Sequence, residues 1–296
     1  MEAEAAAAAC FRRGLTARRG MGHQAEIHLG TSAFTAAGWE GSFYPAEMKP
    51  ADYLGYYARH FDTVEVDSTF YRIPPLQVVR GWYGKTPAGF VFAAKVPQTI
   101  THERVLVDCD AELNQFLGVM DALREKLGPL LFQFGYFNKS AFTGVDPFLA
   151  RLVPFLARLP KDRKFAVEIR NKYWLVPKFV DALRERGVAL ALVDQAWMPR
   201  PAEWFARVNP VTADFAYVRW LGDRKGIEER TKTWDKVIVD RGRELGEWVN
   251  VVYKINGQGV PVFAYANNHY AGHAPATVAL FRELWEKQAK SGAEAG

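Results

Sequence analysis

The sequence predicts an α/β fold, a single TIM-type (β/α)8 barrel with its site at the C-terminal ends of the strands. Three observations predict it. Eight short apolar stretches alternate with helical ones, several of these stretches end in a polar or charged residue, and no GxGxxG follows a strand and no GxxxxGK[ST] exists to mark a nucleotide-binding open sheet.

The 296 residues, 49% hydrophobic and 24% charged, suffice for two average domains or for one barrel, which needs roughly 250 residues. The unbroken alternation favours one domain over residues 25–290. Residues 1–24 read as a disordered extension or a mis-assigned start, with Met21 as the alternative first residue, and residues 291–296 read as a flexible tail. Cys10 and Cys109 form no CxxC pair, so neither a disulfide framework nor a cysteine-held zinc is expected, and a reducing cytoplasm fits best. Glu2 and Glu4 stand where a secretory signal carries bases, and no apolar run approaches the roughly 20 residues that span a bilayer. The net charge of +5 is mildly basic, but the bases are scattered among acids, so a nucleic-acid partner is not favoured.

Glu26 to Ser32 reads as the first strand, ending in Gly30-Thr31-Ser32. A loop with Trp39, Phe43 and Tyr44 leads to Pro50, which opens a helix with Tyr53, Leu54, Tyr57, Ala58 and Phe61 on one stripe. In the second strand Val64 and Val66 alternate with Glu65 and Asp67, so period-two geometry puts both carboxylates on one face. That face is no ordinary apolar core.

Val78, Val79 and Trp82 mark the next helix, and Phe90 to Val96 the third strand, with Lys95 at the strand-end position that Asp67 holds. The long loop Thr99 to Asp110 carries His102. A helix over Leu113 to Leu127 follows, with Gly128-Pro129 expected to stop it, and Leu130 to Phe134 is strand four with Gln133 near its end. Pro147 to Leu159 is helical, and Phe165 to Arg170 is strand five, where Glu168 and Arg170 share a face. Phe179, Val180 and Leu183 pack a helix that Gly187 ends. Val188 to Asp194 is an apolar strand covered on both faces, followed by a Pro-rich connection with Trp197. Phe215 to Trp220 carries Arg219, a basic loop holds Arg224 and Lys225, and Leu245 to Ile255 is helical. Val260 to Asn268 is strand eight, and Pro275 to Lys290 the last helix.

Gly30-Thr31-Ser32 with Trp39, the run Val64 to Tyr71, Leu130-Leu131-Phe132-Gln133, Val167 to Arg170, and Asn267-Asn268-His269-Tyr270-Ala271-Gly272-His273-Ala274-Pro275 together resemble the YecE-like family, domain of unknown function 72. The resemblance covers nearly everything after residue 25 and implies a TIM-type barrel without supplying a reaction. This sequence departs from the family pattern in two places, with Asp67 where Asn is common and Ala266 where Phe is common. The first puts a charge-dependent role for position 67 in question.

Strand ends of such a barrel gather its catalytic groups. The candidates for chemistry and charge are Glu65, Lys95, Glu168, Arg170, Asp194 and Arg219, with Asp67 in support. Thr31, Ser32, Gln133 and Asn267 would orient a ligand, and of the aromatics Trp39, Phe43, Tyr44, Phe70, Tyr71, Tyr136 and Trp197, the loop residues Trp39, Tyr71 and Trp197 would stack on it. His102, Asn268, His269, Gly272 and His273 complete the candidate set. Loop Asn268 to Ala274 at the start of the last helix reads either as an anion site or as a purely structural cap. The acids and bases nearly cancel, which also fits a plain ion-pair plug, but burying so many charges without a function costs several kcal/mol of desolvation per ion. No cofactor is expected, and Mg2+ between Glu65, Glu168 and Asp194 is the minor alternative. The expected function is binding or turnover of a small anionic, phosphorylated or sugar-like ligand by general acid/base chemistry, as in a metal-independent hydrolase or isomerase. A nucleic-acid protein using the same cleft and a non-catalytic binding protein are the alternatives.

Overall fold

The computed structural model describes residues 25–294, and both the expected N-terminal extension, with Cys10 and Met21, and the last two residues of the expected tail lie outside them. Eight parallel strands run β1 (Ile27–Thr31), β2 (Thr63–Val66), β3 (Val91–Lys95), β4 (Leu127–Gln133), β5 (Phe165–Glu168), β6 (Ala189–Gln195), β7 (Ala216–Gly222) and β8 (Val262–Ala266). From β2 to β8 each pairs with its chain neighbour, and β1 pairs with β8, so the sheet curls into a nearly closed barrel.

The open seam lies between β1 and β2, where side chains replace the missing ladder. Asp62 Oδ1 accepts from Leu29 N at 3.2 Å, while the Tyr57 hydroxyl accepts from Thr31 N at 2.9 Å and donates to Thr63 O at 3.1 Å. The strands come so close that a Cβ on Gly30 would sit 2.1 Å from Thr63 O, which is why only glycine fits there.

Helices α1 (Tyr53–His60), α2 (Leu76–Lys85), α3 (Asp110–Met120), α4 (Val145–Ala157), α5 (Pro177–Arg184), α6 (Pro201–Arg207), α7 (Arg224–Glu228), α8 (Gly242–Asn256), α9 (Asn268–Ala271) and α10 (Ala274–Glu294) cover the outside. Inside, Ala93, Ala166, Ala189 and Ala191 of β3, β5 and β6 face Phe215, just before β7, and Tyr217, Phe263 and Tyr265 of β7 and β8. Small residues on one side make room for large rings on the other, and together they fill the lumen with side chains. The barrel is therefore plugged below its mouth.

Three boundaries differ from the sequence reading. Helix α3 ends at Met120 and a 3-10 turn spans Asp121–Lys126, so Gly128 and Pro129 belong to β4 and do not stop a helix. Buried Lys126 donates to the carbonyls of Tyr83 and Thr86 at 2.7 and 2.6 Å, which holds that turn against α2. The Pro-rich connection contains α6, opened by Pro201 and capped at its start by Glu203, whose Oε1 accepts from Arg200 N at 3.2 Å. The last helix continues to Glu294, into the segment read as tail.

Candidate functional site

Strand register decides which side chains meet. Arg219 pairs in register with Tyr265 and Val193, Glu65 with Ala93, and Gln133 with Glu168, so these residues share the inner face with the aromatic plug. Directly above the plug, Arg219 Nε and Nη2 donate to Glu65 Oε1 at 3.0 and 2.7 Å, and Nη1 donates to Glu168 Oε2 at 2.8 Å. Nη2 also reaches Asp67 Oδ1 at 3.3 Å. Tyr217 donates to Glu65 Oε2 at 2.5 Å. Glu65 and Glu168 have no exposed surface at all, so no ligand can touch them in this arrangement.

Burial and the nearby Asp67 hold the Glu65 carboxyl above its ordinary range, against the pull of Arg219. Burial pushes Glu168 up as well, but Arg170 and Arg219 together outweigh it and leave that carboxyl below its usual value. For Arg219 burial works against the charge, yet Glu65, Glu168 and Asp67 more than compensate and keep the guanidinium firmly protonated. This is a closed floor, each carboxylate held by a cation.

The rim above it is different. Arg170, just past β5, pairs with Glu168 Oε1 at 2.5 Å and donates to Gln195 Oε1, but its buried Nε has no hydrogen-bond partner among the described residues. Lys95 is buried, and its Nζ finds Asp67 Oδ1 at 3.5 Å and the Phe70 ring at 4.1 Å. An ammonium can donate three hydrogen bonds, so most of its capacity is unspent. Thr69 holds the strand end by donating to Lys95 O at 2.7 Å and shares its hydroxyl with Val66 O at 2.8 Å.

His102 joins this rim from the β3–α3 loop. Its ring lies edge-on to Phe70 at 5.0 Å, and Nδ1 contacts Thr101 Oγ1 at 2.8 Å. Burial, then Lys95 and Arg170, lower its pKa against an opposing Glu168, so the imidazole is neutral at pH 7. Both cations and Glu168 therefore act on one ring. Just beyond it Val105, Leu106 and Asp108 adopt φ of 44°, 68° and 47°, left-handed backbone that is strained for such residues, above all for β-branched Val105. Strain of this kind costs on the order of 1–3 kcal/mol per residue and clusters at ligand-handling loops.

Several candidates read from the sequence need correction. Asp194 faces outward, because β6 alternates Leu192 and Asp194 against the helices; its Oδ2 accepts from Trp248 Nε1 at 2.7 Å and from the Tyr270 hydroxyl at 2.8 Å. Gln195, after a bulge, takes the inward place beside Arg170. With Asp194 on the other face and Arg219 wedged between Glu65 and Glu168, those three carboxylates do not converge on a metal position. Among the described residues no group of three or more His, Cys, Asp or Glu side chains has metal-holding geometry. Thr31 also turns outward, locked to the Tyr57 hydroxyl at 2.8 Å. Trp39 is buried among Phe43, Tyr44 and His273, with Nε1 donating to Asn268 Oδ1 at 3.2 Å, and offers no stacking face.

The loop after β8 is spent on the fold. Asn267 caps α9 by accepting from His269 N at 2.9 Å while its Nδ2 donates to Ser32 Oγ at 2.8 Å, and Asn268 Oδ1 accepts from Ala274 N at 2.9 Å. That last bond occupies the start of α10, so the structural cap accounts for this loop. His269 is held between Asn267 and Glu228, His273 is buried, and Arg224 pairs with Glu228 at 2.8 Å. Gly272 has φ of 109°, and a Cβ there would lie 2.6 Å from Lys236 O.

Gln133 stands half-buried beside Glu168 and donates to Phe134 O at 2.8 Å, while Tyr71, Tyr136 and Trp197 are exposed around the mouth. The sequence reading missed Tyr217, Gln195 and Tyr173. Tyr217 was within reach, since it precedes Arg219 by two residues on one strand and must share its face; the other two carry no local signal.

Relatives agree with this architecture. YunF of Bacillus subtilis is 30% identical over 266 residues, 84% of this chain and 90% of that protein. YecE of Escherichia coli K12 is 32% identical over 143 residues, 47% of this chain, so that match spans only 50% of YecE. A solved structure of a DUF72 family protein from Thermotoga maritima superposes with a TM-score of 0.70 at 26% identity, over 88% of this chain and 99% of that one. A second, from Enterococcus faecalis, reaches 0.64 at 23% identity, over 88% and 95%. The model of the family described as protein of unknown function DUF72 matches residues 28–295, and the chain belongs to that family.

Proposed function

We propose that the mouth binds a small anionic ligand through Lys95 and Arg170, and that neutral His102, with Asp67, handles a proton of that ligand. The observation that carries this reading is the unspent donor capacity of two cations set into the rim: the bare Arg170 Nε and the thinly partnered Lys95 ammonium. Burying donors without partners costs free energy, which a ligand's oxygens would return. Arg219, by contrast, is fully committed to the floor and holds Glu65, Glu168 and Asp67 in place.

General acid/base chemistry fits because a base must be unprotonated at the operating pH, with a pKa near it. Burial, Lys95 and Arg170 arrange that for His102. The reaction class in keeping with this set is metal-independent hydrolysis or isomerisation, with Glu65 a positioning residue beneath Arg219 and not the base.

Titration calorimetry with inorganic phosphate tests the binding step. Lys95→Met and Arg170→Gln should each weaken phosphate at least about tenfold, the value of one charge-assisted hydrogen bond. Unchanged affinity in both variants sinks the reading. For the chemistry, mass spectrometry of small molecules retained by the purified protein, with Arg170→Ala as control, identifies a compound. His102→Gln should then lower its turnover while leaving its affinity nearly intact.

A further inference from the structure

Beside the mouth, the loops after β4, β5 and β6 enclose an open cleft of about 530 Å3 that shares Arg170 with the rim. That volume lies within the roughly 300–1,000 Å3 of small-molecule sites. Its walls are aromatic: Tyr136, Tyr173 and Trp197 line it and are 71%, 80% and 47% exposed. With Tyr71 they are all of the large exposed aromatic side chains among the described residues, and all four sit at the strand C-terminal end of the barrel. Exposed rings gathered at one place, and not scattered, mark a contact surface. Phe137 and Trp174 stack at 5.9 Å to make a firm floor beneath them.

Two features narrow the occupant. The first is charge: Lys139, Arg170 and Lys172 line the cleft and none of its described lining residues is acidic, so it complements an anion. The second is how few neutral polar side chains line it, Thr143 and Asn171. Asn171, the amide there, is used up, since Oδ1 accepts from Phe137 N at 2.9 Å and Nδ2 donates to Phe137 O at 2.8 Å. A polyhydroxylated ring needs many side-chain hydrogen bonds, whereas a flat heteroaromatic ring needs faces to stack on.

We infer that the cleft seats the flat heteroaromatic ring of a nucleoside phosphate, whose phosphate group reaches Arg170 and Lys95 at the mouth. The inference rests on the anion reading above and adds the ring. Tyr173 and Trp197 supply stacking faces, Lys139 and Lys172 screen the ligand's charge at the edge, and Arg170 joins cleft to mouth.

The test is calorimetric titration with the four common ribonucleoside 5′-monophosphates, ribose 5-phosphate and inorganic phosphate, on the wild-type protein and on a Tyr173→Ala/Trp197→Ala double variant. Both substituted residues are exposed, and circular dichroism confirms the variant's fold. At least one nucleotide should bind about tenfold or more tighter than ribose 5-phosphate, as expected of base–aromatic stacking. The double variant should lose that margin while its affinity for ribose 5-phosphate stays unchanged. Nucleotides binding no tighter than ribose 5-phosphate would overturn the inference and leave the anion reading standing. Failure of every phosphate compound to bind overturns both. A single-stranded oligonucleotide bound about a hundredfold tighter than any mononucleotide, with a steep loss in salt, would replace the small ligand with a polymer.

Discussion

Arg219 and Lys95 end neighbouring layers of the same barrel mouth, both as buried cations and both within reach of Asp67. Arg219 donates to three carboxylates at 2.7 to 3.3 Å, and its partner Glu65 is further held by Tyr217. Lys95 has one carboxylate at 3.5 Å and a ring face. Arg219 is thus spent on the floor without a ligand, where Glu168 Oε1 rests on its ion pair with Arg170 alone, while Lys95 on the rim is left thinly partnered. Charge type does not separate a structural cation from a functional one; the tally of satisfied hydrogen bonds does.

The largest effect should come from breaking the floor. Arg219→Met leaves buried Glu65 with no cation and only the Tyr217 hydroxyl, and leaves Glu168 with Arg170 alone, and removing one member of a buried ion pair costs about 3–5 kcal/mol. Chemical denaturation should show a loss of that size. A loss under about 1 kcal/mol would mean that the carboxylates take up protons cheaply and that the floor is no tighter than the rim.

Much of this contrast is legible in the amino-acid sequence. Period-two alternation alone puts Glu65 with Asp67 and Glu168 with Arg170, and a lysine closing an apolar strand flags Lys95. The phase of β6 is not legible, because both of its faces are apolar: Ala191 and Leu192 give no clue to which side is inside, and the bulge after Asp194 shifts the end of the strand. Only the register against Arg219 shows Asp194 pointing outward. Trp39 and Asn268 escape for another reason. Their contact joins residues 229 apart in the chain, so what looks like a polar loop and a free ring in sequence is a packed pair in space. The seam offers the same lesson, since Gly30 has the look of a turn glycine in sequence and owes its place to Thr63 O packed against it.

A smaller effect concerns pH and probes the histidines outside the floor. Burial is the leading cause of the lowered pKa at His102, His269 and His273, each below the ordinary 6.5. The unfolded chain then takes up protons near pH 6.5 while the folded one resists. Stability from these groups is therefore present above that value and is lost as pH falls through the lowered folded values. The melting temperature should drop between pH 7.5 and pH 5.5. Glu65, shifted upward, acts with the opposite sign, so the raw slope mixes the two. His273→Gln isolates the histidine part: it removes a buried ring whose Nε2 has no hydrogen-bond partner among the described residues, and the slope should flatten whatever happens to the melting temperature itself. An unchanged slope would show that His273 takes up its proton in the folded state as readily as in the unfolded one.

The smallest effect on stability is expected at Lys95, where the contrast with Arg219 is sharpest. Lys95→Met keeps the aliphatic length against Phe70 and removes an ammonium whose desolvation is repaid by one long ion pair. Its partner Asp67 stays partly exposed, and it still has Arg219 at 3.3 Å, so no carboxylate is stranded. Exchanging a poorly compensated buried charge for an apolar side chain of similar volume is often neutral or stabilising, so the change should stay within about 1 kcal/mol and tend upward. The same variant should lose phosphate binding. A gain in stability joined to a loss of phosphate binding in one variant is the pattern of a stability–function trade-off. A loss near that of Arg219→Met, with phosphate affinity untouched, would instead place Lys95 in the floor and dissolve the distinction between the two layers.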